Sequence, residues 1–259
     1  MAHIVEPSLE QILEYCAEDP VERVFLEDVA RRGLGRFSGI ESGDRLVALC
    51  HSGANVVPSG AGCGGFAPVA ERARARMLIG EERAVSDLWE AARKRLPAAR
   101  EDRPGQPVYE LSVAPEPGDS GLRPAALSDL DLLVPACALA HEGELGVDPL
   151  LRDPDGFRWR TRAQIEEGRS WLWQDDGVIL FKAEASAWTP SAVQLQQVWT
   201  DPTARGLGYA SRGLRDLIRL LLAQVATVCL FVRADNVAAI KLYDRVGMRH
   251  VLDYRSVLL

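Results

Sequence analysis

Hydrophobic and polar positions along the first half of the chain switch between helical and strand-like spacing. Leu9, Ile12, Leu13 and Cys16 recur at helical spacing behind Ser8, a residue type that often caps a helix N-terminus. Short apolar runs bounded by glycine, proline or charge predict strands between the helices that follow. We predict helices at 21–32, 68–76 and 84–96 and strands at 45–51, 54–58 and 77–80.

The second half has the same order of patterns. We predict helices at 129–140, 161–168, 210–225 and 237–246, strands at 171–174, 178–185, 193–200 and 228–234, and a final pair of strands. In the strand 193–200, Val193, Leu195, Gln197 and Trp199 alternate with their neighbours and should face one side of a sheet. We find no residue-level repeat between the halves, only a similar order of elements.

A change in composition separates the two halves. The runs R-E-D-R-P-G-Q-P (100–107) and A-P-E-P-G-D-S-G (114–121) concentrate proline, glycine and charge around one short strand-like run, V-Y-E-L-S-V. Such composition is typical of a connection rather than of an element interior. We therefore predict two domains, 1–115 and 116–259, each of the α/β (α+β) class with a mixed, mostly antiparallel twisted sheet flanked by helices.

The segment D-P-T-A-R-G-L-G-Y-A-S-R-G (201–213) joins a predicted strand to an apolar-striped helix. Asp201 and Pro202 end the strand, because proline cannot donate to a ladder. The N-terminus of the following helix carries unpaired N–H groups and about half a positive charge, which suits an anion such as phosphate. Gly206 and Gly208 remove Cβ atoms that would keep a ligand away from the backbone. A tight turn that merely needs glycine remains the alternative.

This segment resembles the acyl-CoA-binding motif of the GNAT superfamily of N-acetyltransferases. The motif Gln/Arg-x-x-Gly-x-Gly/Ala is matched by Arg205, Gly208 and Ala210, after a strand that carries Val198 and Pro202 at the family's spacing. A second family signature follows at the expected distance, N-V-A-A-I-K-L-Y-D-R-V-G-M (236–248). The resemblance covers about residues 121–259.

The resemblance implies acetyl-CoA as co-substrate and a role for each matching position. The loop implied to bind the CoA diphosphate consists of Arg205, Gly206, Leu207, Gly208, Tyr209, Ala210 and Ser211, mainly through backbone amides. The strand end implied to hold the acetyl and pantetheine arm consists of Val198, Trp199 and Thr200. Asn236 would contact the pantetheine, and Tyr243 would protonate the leaving thiolate.

Direct transfer to an amine also calls for a general base, and the sequence leaves its identity open. Glu184 is the first candidate, although Lys182 lies on the same strand face and could pair with it in a purely structural ion pair. Glu142 and Glu144, just after the first helix of the second half, could line the acceptor cleft instead. A chain of water molecules without a dedicated base is a further alternative.

The first half contains a glycine run that fits a dinucleotide fingerprint. Gly60, Gly62 and Gly65 fall between a predicted strand and helix, and Glu81 lies where an acid could bind a ribose hydroxyl. We favour another interpretation, because the whole chain resembles two-domain GNAT proteins whose first domain is a degenerate GNAT-like fold. No equivalent of Arg205 stands beside this loop, so we expect a non-catalytic domain that shapes the acceptor cleft.

Composition and charge limit the classes of partner. The net charge of −7 argues against nucleic-acid binding, and no apolar run is long enough to span a membrane. Five scattered cysteines and four scattered histidines do not form a metal-binding pattern, so we expect no metal and free, buried thiols in the cytoplasm. We expect an N-acetyltransferase that transfers an acetyl group to a primary amine of a small molecule or peptide, with a homodimer left open; the alternative is a non-catalytic protein that binds and senses acyl-CoA.

Overall fold

The computed structural model describes residues 4–43 and 45–259, and its first half contains four helices and six strands within that part of the chain. In chain order these are β1 (Ile4–Val5), α1 (Leu9–Ala17), α2 (Val24–Arg31), β2 (Arg36–Ser42), β3 (Arg45–Ser52), β4 (Val56–Gly60), α3 (Ala67–Ala73), β5 (Met77–Glu81), α4 (Glu82–Ala92) and β6 (Glu101–Leu111). Ser8 caps α1 as expected: its hydroxyl accepts from the amide of Gln11 at 3.2 Å, and Gln11 bonds back to Ser8.

The second half repeats that order with one additional short helix. Its elements are β7 (Arg123–Pro124), α5 (Leu130–Leu145), α6 (Pro149–Arg152), α7 (Pro154–Glu166), β8 (Ser170–Asp175), β9 (Val178–Trp188), β10 (Ala192–Trp199), α8 (Tyr209–Leu222), β11 (Thr227–Phe231), α9 (Val237–Val246) and β12 (Arg249–Leu258). The apolar stripe of α8 is fully buried at Leu214, Leu217, Ile218 and Leu221, as its periodicity predicts.

The strands form one continuous mixed sheet. Its order is β1-β2-β3-β4-β5-β12-β6-β11-β10-β9-β8-β7. Only β4–β5 and β10–β11 pair in parallel among the described strands, so the predicted mixed, mostly antiparallel α/β architecture is confirmed.

The two halves exchange strands at the centre of this sheet. The C-terminal strand β12 lies between β5 and β6 of the first half, and β6 lies between β12 and β11 of the second half. Read from either edge, five strands of one half are followed by the last strand of the other half. The order is therefore the same from both ends, as expected for two related folds that share a pseudo-twofold axis between β12 and β6.

Strand β6 is longer than the sequence indicates. We predicted a connection at 100–107, but β6 begins at Glu101 and pairs with β12 along its whole length. Its partner on the other side, β11, reaches only 108–111. The proline-rich part thus pairs on one edge only, where proline is tolerated. The predicted final pair of strands is also wrong, because residues 249–258 form the single strand β12.

Ion pairs also join the two halves away from the sheet. The buried carboxylate of Asp28 on α2 accepts from Arg169 at 2.7 Å and from the backbone amide of Trp188 at 3.1 Å. Arg32 and Glu167 form a second, exposed pair at 2.8 Å.

All five cysteines are buried and free, as expected. No helix within residues 4–43 and 45–259 combines the length and hydrophobicity needed to cross a bilayer.

Candidate active site

A large cavity opens where strands β10 and β11 separate. The two strands pair in parallel only from Ala192 to Gln194, and β10 is then displaced from regular pairing with β9 at two places. Gln197, in the second irregularity, has a left-handed backbone with φ of 50°. The expected strict alternation along 193–200 is therefore broken by bulges, which re-aim side chains and end pairing. The cavity measures about 910 Å³ and reaches into both halves of the chain.

The glycine loop, residues 205–211, forms one wall of this cavity. Gly206 and Gly208 have φ of 78° and 85°, and a Cβ on either would meet no atom within 4 Å. The turn itself therefore requires glycine, and the space beside both residues is open. Helix α8 has no side-chain cap, and its first intrahelical bond runs from Arg212 to Gly208. The amides before Arg212 are consequently free to bind an anion.

The end of β10 continues the same wall. Val198, Trp199 and Thr200 all line the cavity, and the Oγ1 of Thr200 is a buried atom without a hydrogen-bond partner among the described residues. The guanidinium of Arg205 donates to the carbonyl of Thr200 at 3.2 Å, which ties the loop to the strand. Leu207 is not among the residues that line the cavity, and it is 66% exposed.

Helix α9 brings the second motif to the opposite wall. Asn236 caps the helix by accepting from the amide of Ala239 at 3.1 Å, which leaves its side-chain NH₂ free to meet a ligand in the cavity. Tyr243, two turns further on, also lines the cavity but is only 5 % exposed, and its ring lies 5.6 Å from that of Tyr109. Burial, reinforced by Glu144 and Tyr109, raises the pKa of the Tyr243 phenol, which therefore keeps its proton at neutral pH.

Glu184 is buried behind the cavity wall rather than in it. Its Oε1 lies 3.3 Å from Nζ of Lys182 and accepts from Sγ of Cys137 at 3.1 Å, and its Oε2 accepts weakly from Gln196. The residues that line the cavity do not include Glu184 within the described part of the chain. The structure thus places this candidate base in the ion pair with Lys182 that the sequence left open.

Glu144, at the end of α5, faces the cavity. Glu144 lines the cavity and is exposed, yet the protein near its carboxyl partly desolvates it and raises the pKa of that group, while Arg103, Arg233 and Lys182 oppose the shift. Arg103 also donates to the backbone carbonyl of Glu144 at 3.0 Å. Glu142, the other candidate on this helix, is exposed and lies outside the lining.

Sequence reasoning missed several charged or titratable residues of the lining, which are Glu22, Arg103, His141, Arg233, Arg245 and Tyr254. Burial and the charge of Arg160 lower the pKa of the His141 imidazole. Glu22 and Arg103 belong to the first half, and only the strand exchange brings them to a cavity of the second half. The sequence around Arg103, which precedes a proline, and around Glu22, which lies between two helices, does not indicate that either residue lines the cavity.

The corresponding loop of the first half has no open anion site. The amide of Gly64 donates to the carboxylate of Asp87 at 2.9 Å, so an acidic side chain already occupies this donor of the loop. A Cβ on Gly60 would come within 2.4 Å of both Tyr15 and Val47. Glu81, the candidate ribose ligand of the fingerprint, caps α4 by accepting from the amide of Ala84 at 2.8 Å.

Comparisons with known proteins agree with this geometry. Residues 139–248 match the model of the acetyltransferase (GNAT) family, and residues 35–133 match a domain of unknown function, DUF4081. The chain therefore contains a GNAT-family domain behind an N-terminal domain of the DUF4081 type. No curated protein sequence matches it.

Solved structures resemble the chain over almost its whole length. A GCN5-related N-acetyltransferase from Sphaerobacter thermophilus is 17% identical with a TM-score of 0.61, covering 98% of this chain and 94% of its own. A GNAT-family acetyltransferase from Colwellia psychrerythraea (12% identity, TM-score 0.58) covers 100% and 99%. A tandem GNAT protein from the clavulanic acid biosynthesis pathway, solved without AcCoA (12%, 0.54), covers 100% and 98%. At these identities the likeness establishes the fold alone.

Proposed function

We propose that this protein is an acetyl-CoA-dependent N-acetyltransferase that acts on a primary amine of a small molecule or peptide. The GNAT family and fold support acyl transfer in general. The observation that carries the finer proposal is the arrangement of one cavity. The uncapped N-terminus of α8, the protonated phenol of Tyr243 and the carboxylate of Glu144 all face it.

Binding of the co-substrate uses the backbone. The free amides of residues 206–211 and the positive end of α8 receive the diphosphate of acetyl-CoA. The pantetheine arm then runs between the end of β10 and Asn236, where the separation of β10 and β11 leaves room for it. This path ends beside Tyr243.

In the reaction the amine nitrogen attacks the thioester carbon and the carbon–sulfur bond breaks. The departing thiolate takes the proton of the Tyr243 hydroxyl. Burial keeps the phenol in its protonated form at neutral pH, so that it has this proton to give. The nitrogen loses its proton to the carboxylate of Glu144, whose raised pKa brings it closer to the operating pH. We prefer Glu144 to Glu184 as base because Glu184 is engaged by Lys182 and Cys137.

The decisive test incubates the protein with acetyl-CoA and a panel of primary amines and follows release of free thiol. We expect amine-dependent release, and a loss of about 100-fold or more in kcat for Glu144→Gln. Glu142→Gln, two residues away and exposed, is the matched control and should keep the activity. Tight acetyl-CoA binding without turnover on any amine would instead support a non-catalytic acyl-CoA sensor.

A further inference from the structure

The lining of the cavity extends from the proposed reaction centre into the first half and includes a largely buried carboxylate. Glu22 lies between α1 and α2, and its side chain is only 8% exposed. Its Oε2 accepts from Nε of Arg23 and from the hydroxyl of Ser59, both at 2.9 Å. No described residue donates to the other oxygen, Oε1, although Glu22 lines the cavity. One oxygen is therefore fixed by the protein and one is left for a ligand.

Glu22 and Glu144 are both held by the exchanged strands. Glu22 lies between α1 and α2 and Glu144 lies in the last turn of α5, and each is held through its backbone carbonyl by the strand that comes from the other half. The hydroxyl of Tyr254 on β12 donates to the carbonyl of Glu22 at 2.7 Å, and Arg103 on β6 donates to that of Glu144 at 3.0 Å. The exchange of strands thus places one acidic group of each half on a single cavity.

The lining that the first half and β12 supply is mixed, with the polar residues Asn55, Arg103, Gln106 and Ser256 beside apolar side chains. Phe25, Val57, Ile79 and Tyr254 line this part. A ligand that fits both ends carries a donor at each end and hydrocarbon between. We propose that the acceptor is an aliphatic diamine whose distal ammonium binds Oε1 of Glu22 while its other amine is acetylated beside Glu144. This inference rests on the proposed acetyltransferase function.

The charges near both carboxylates are compatible with a cationic ligand. Arg103 is paired with Glu101 at 2.5 Å, and Arg233 is paired with Asp235 at 2.7 Å. Arg23 interacts with Glu18 as well as with Glu22. A carboxylate ligand in place of the ammonium would put like charge against Glu22 in a desolvated site, which is strongly unfavourable.

The test compares diaminobutane, diaminohexane and diaminooctane with the monoamine of the same length, with thiol release as the assay. We expect higher kcat/KM for the diamines at a chain length that spans the cavity. Glu22→Gln keeps the shape and removes the charge; it should lower kcat/KM for the diamines about 10-fold to 100-fold and leave the monoamines within about twofold. Glu22→Asp should move the preference to a longer diamine, because the carboxylate retreats by one methylene.

Ser59→Ala is the matched control, because it removes a donor to Oε2 and leaves Oε1 untouched. It should retain the diamine preference even if it lowers the melting temperature. Calorimetric titration of the diamines and monoamines into each variant tests the subsite without turnover. If monoamines are acetylated as well as diamines, or if Glu22→Gln changes nothing, the diamine inference is wrong and the acetyltransferase proposal stands. If no amine is acetylated, the proposed acetyltransferase function is wrong. If diamines and monoamines then also bind with equal affinity in the calorimetric titration, the diamine subsite is wrong as well.

Discussion

The buried ammonium of Lys182 donates to the side-chain carbonyl of Gln197 at 3.0 Å, and Gln197 is a residue with a left-handed backbone on the irregular end of β10. The partner of Lys182, Glu184, accepts in turn from Gln196. The ion pair behind the cavity therefore fixes both glutamines of the bulge. Left-handed backbone at a residue other than glycine is unfavourable and persists only when its surroundings enforce it.

We predict that this ion pair positions the bulge rather than transferring protons. Lys182→Met or Glu184→Leu alone leaves one uncompensated buried charge and should cost about 3–5 kcal/mol of unfolding free energy. The double variant Lys182→Met/Glu184→Leu removes both charges and should recover most of this stability, as measured by urea unfolding. Its acetyl-CoA affinity and kcat should nevertheless remain at least about tenfold reduced, because Gln196 and Gln197 lose their anchors.

Recovery of full activity together with stability in that double variant would show that the pair serves folding alone. If Glu184 were the general base, kcat would fall further than acetyl-CoA affinity, and the lower limb of the pH–rate profile would disappear in Glu184→Gln. We expect that limb to survive in Glu184→Gln and to disappear in Glu144→Gln.

Gly208→Val should abolish acetyl-CoA binding, because it both strains the left-handed turn and fills the open space beside the uncapped helix. Gly208→Asn separates these two effects, since asparagine tolerates this conformation better. It should fold with near-normal stability and still lose affinity for acetyl-CoA by about tenfold or more. Unchanged affinity in a folded Gly208→Asn variant, measured by titration, would mean that the glycine serves only the turn.

Tyr243→Phe removes the proposed acid and keeps the ring that packs on Tyr109. We expect kcat to fall about 100-fold to 10,000-fold, with acetyl-CoA affinity retained, because proton transfer is lost and packing is not. Tyr109→Phe is the control for a change at the neighbouring phenol and should keep more of the activity. Thiol release measures the loss of proton transfer, and equilibrium binding of acetyl-CoA on the same preparations measures any change in packing of the site.

Glu22 should make stability depend on pH. Burial raises the pKa of its carboxyl to about 7 in the folded protein, although Arg23 and Ser59 oppose the shift. An unfolded chain titrates the same group near pH 4.3. Between these values the folded state holds a proton that the unfolded state has released, so this contribution falls as pH rises and is fully lost above about pH 7.

Glu22→Gln cannot ionise and lacks this dependence. We therefore expect the unfolding free energy of the variant, relative to the unchanged protein, to rise by on the order of 3 kcal/mol between about pH 4 and pH 8. Urea unfolding at several pH values measures the difference. A constant difference across this range would contradict the raised pKa.

The features that the sequence predicts well are local ones. Helix α9 has the predicted bounds, and the capping of α1 by Ser8 follows from residues three apart. The glycine loop is recognisable because its turn, helix and motif all lie within one short segment. Each of these features depends on neighbours along the chain.

The features that the sequence does not predict depend on contacts between distant segments. The strand character of residues 101–107 comes from β12, about 150 positions away. The bulges of β10 depend on Lys182 and Glu184 of the neighbouring strand. The same holds for Glu22, whose place at the cavity is fixed by Tyr254 at the other end of the chain. Periodicity carries no information on such pairings.

The position of β12 makes completion of the sheet of the first half depend on a strand that the second half supplies. This sheet has a gap between β5 and β6 until Arg249–Leu258 is in place, and the unpaired edge of β5 stays available until then. We infer that the two halves acquire their final structure together, in one cooperative step. A fragment cut at residue 115 would lack its central strand and seek that strand from another chain.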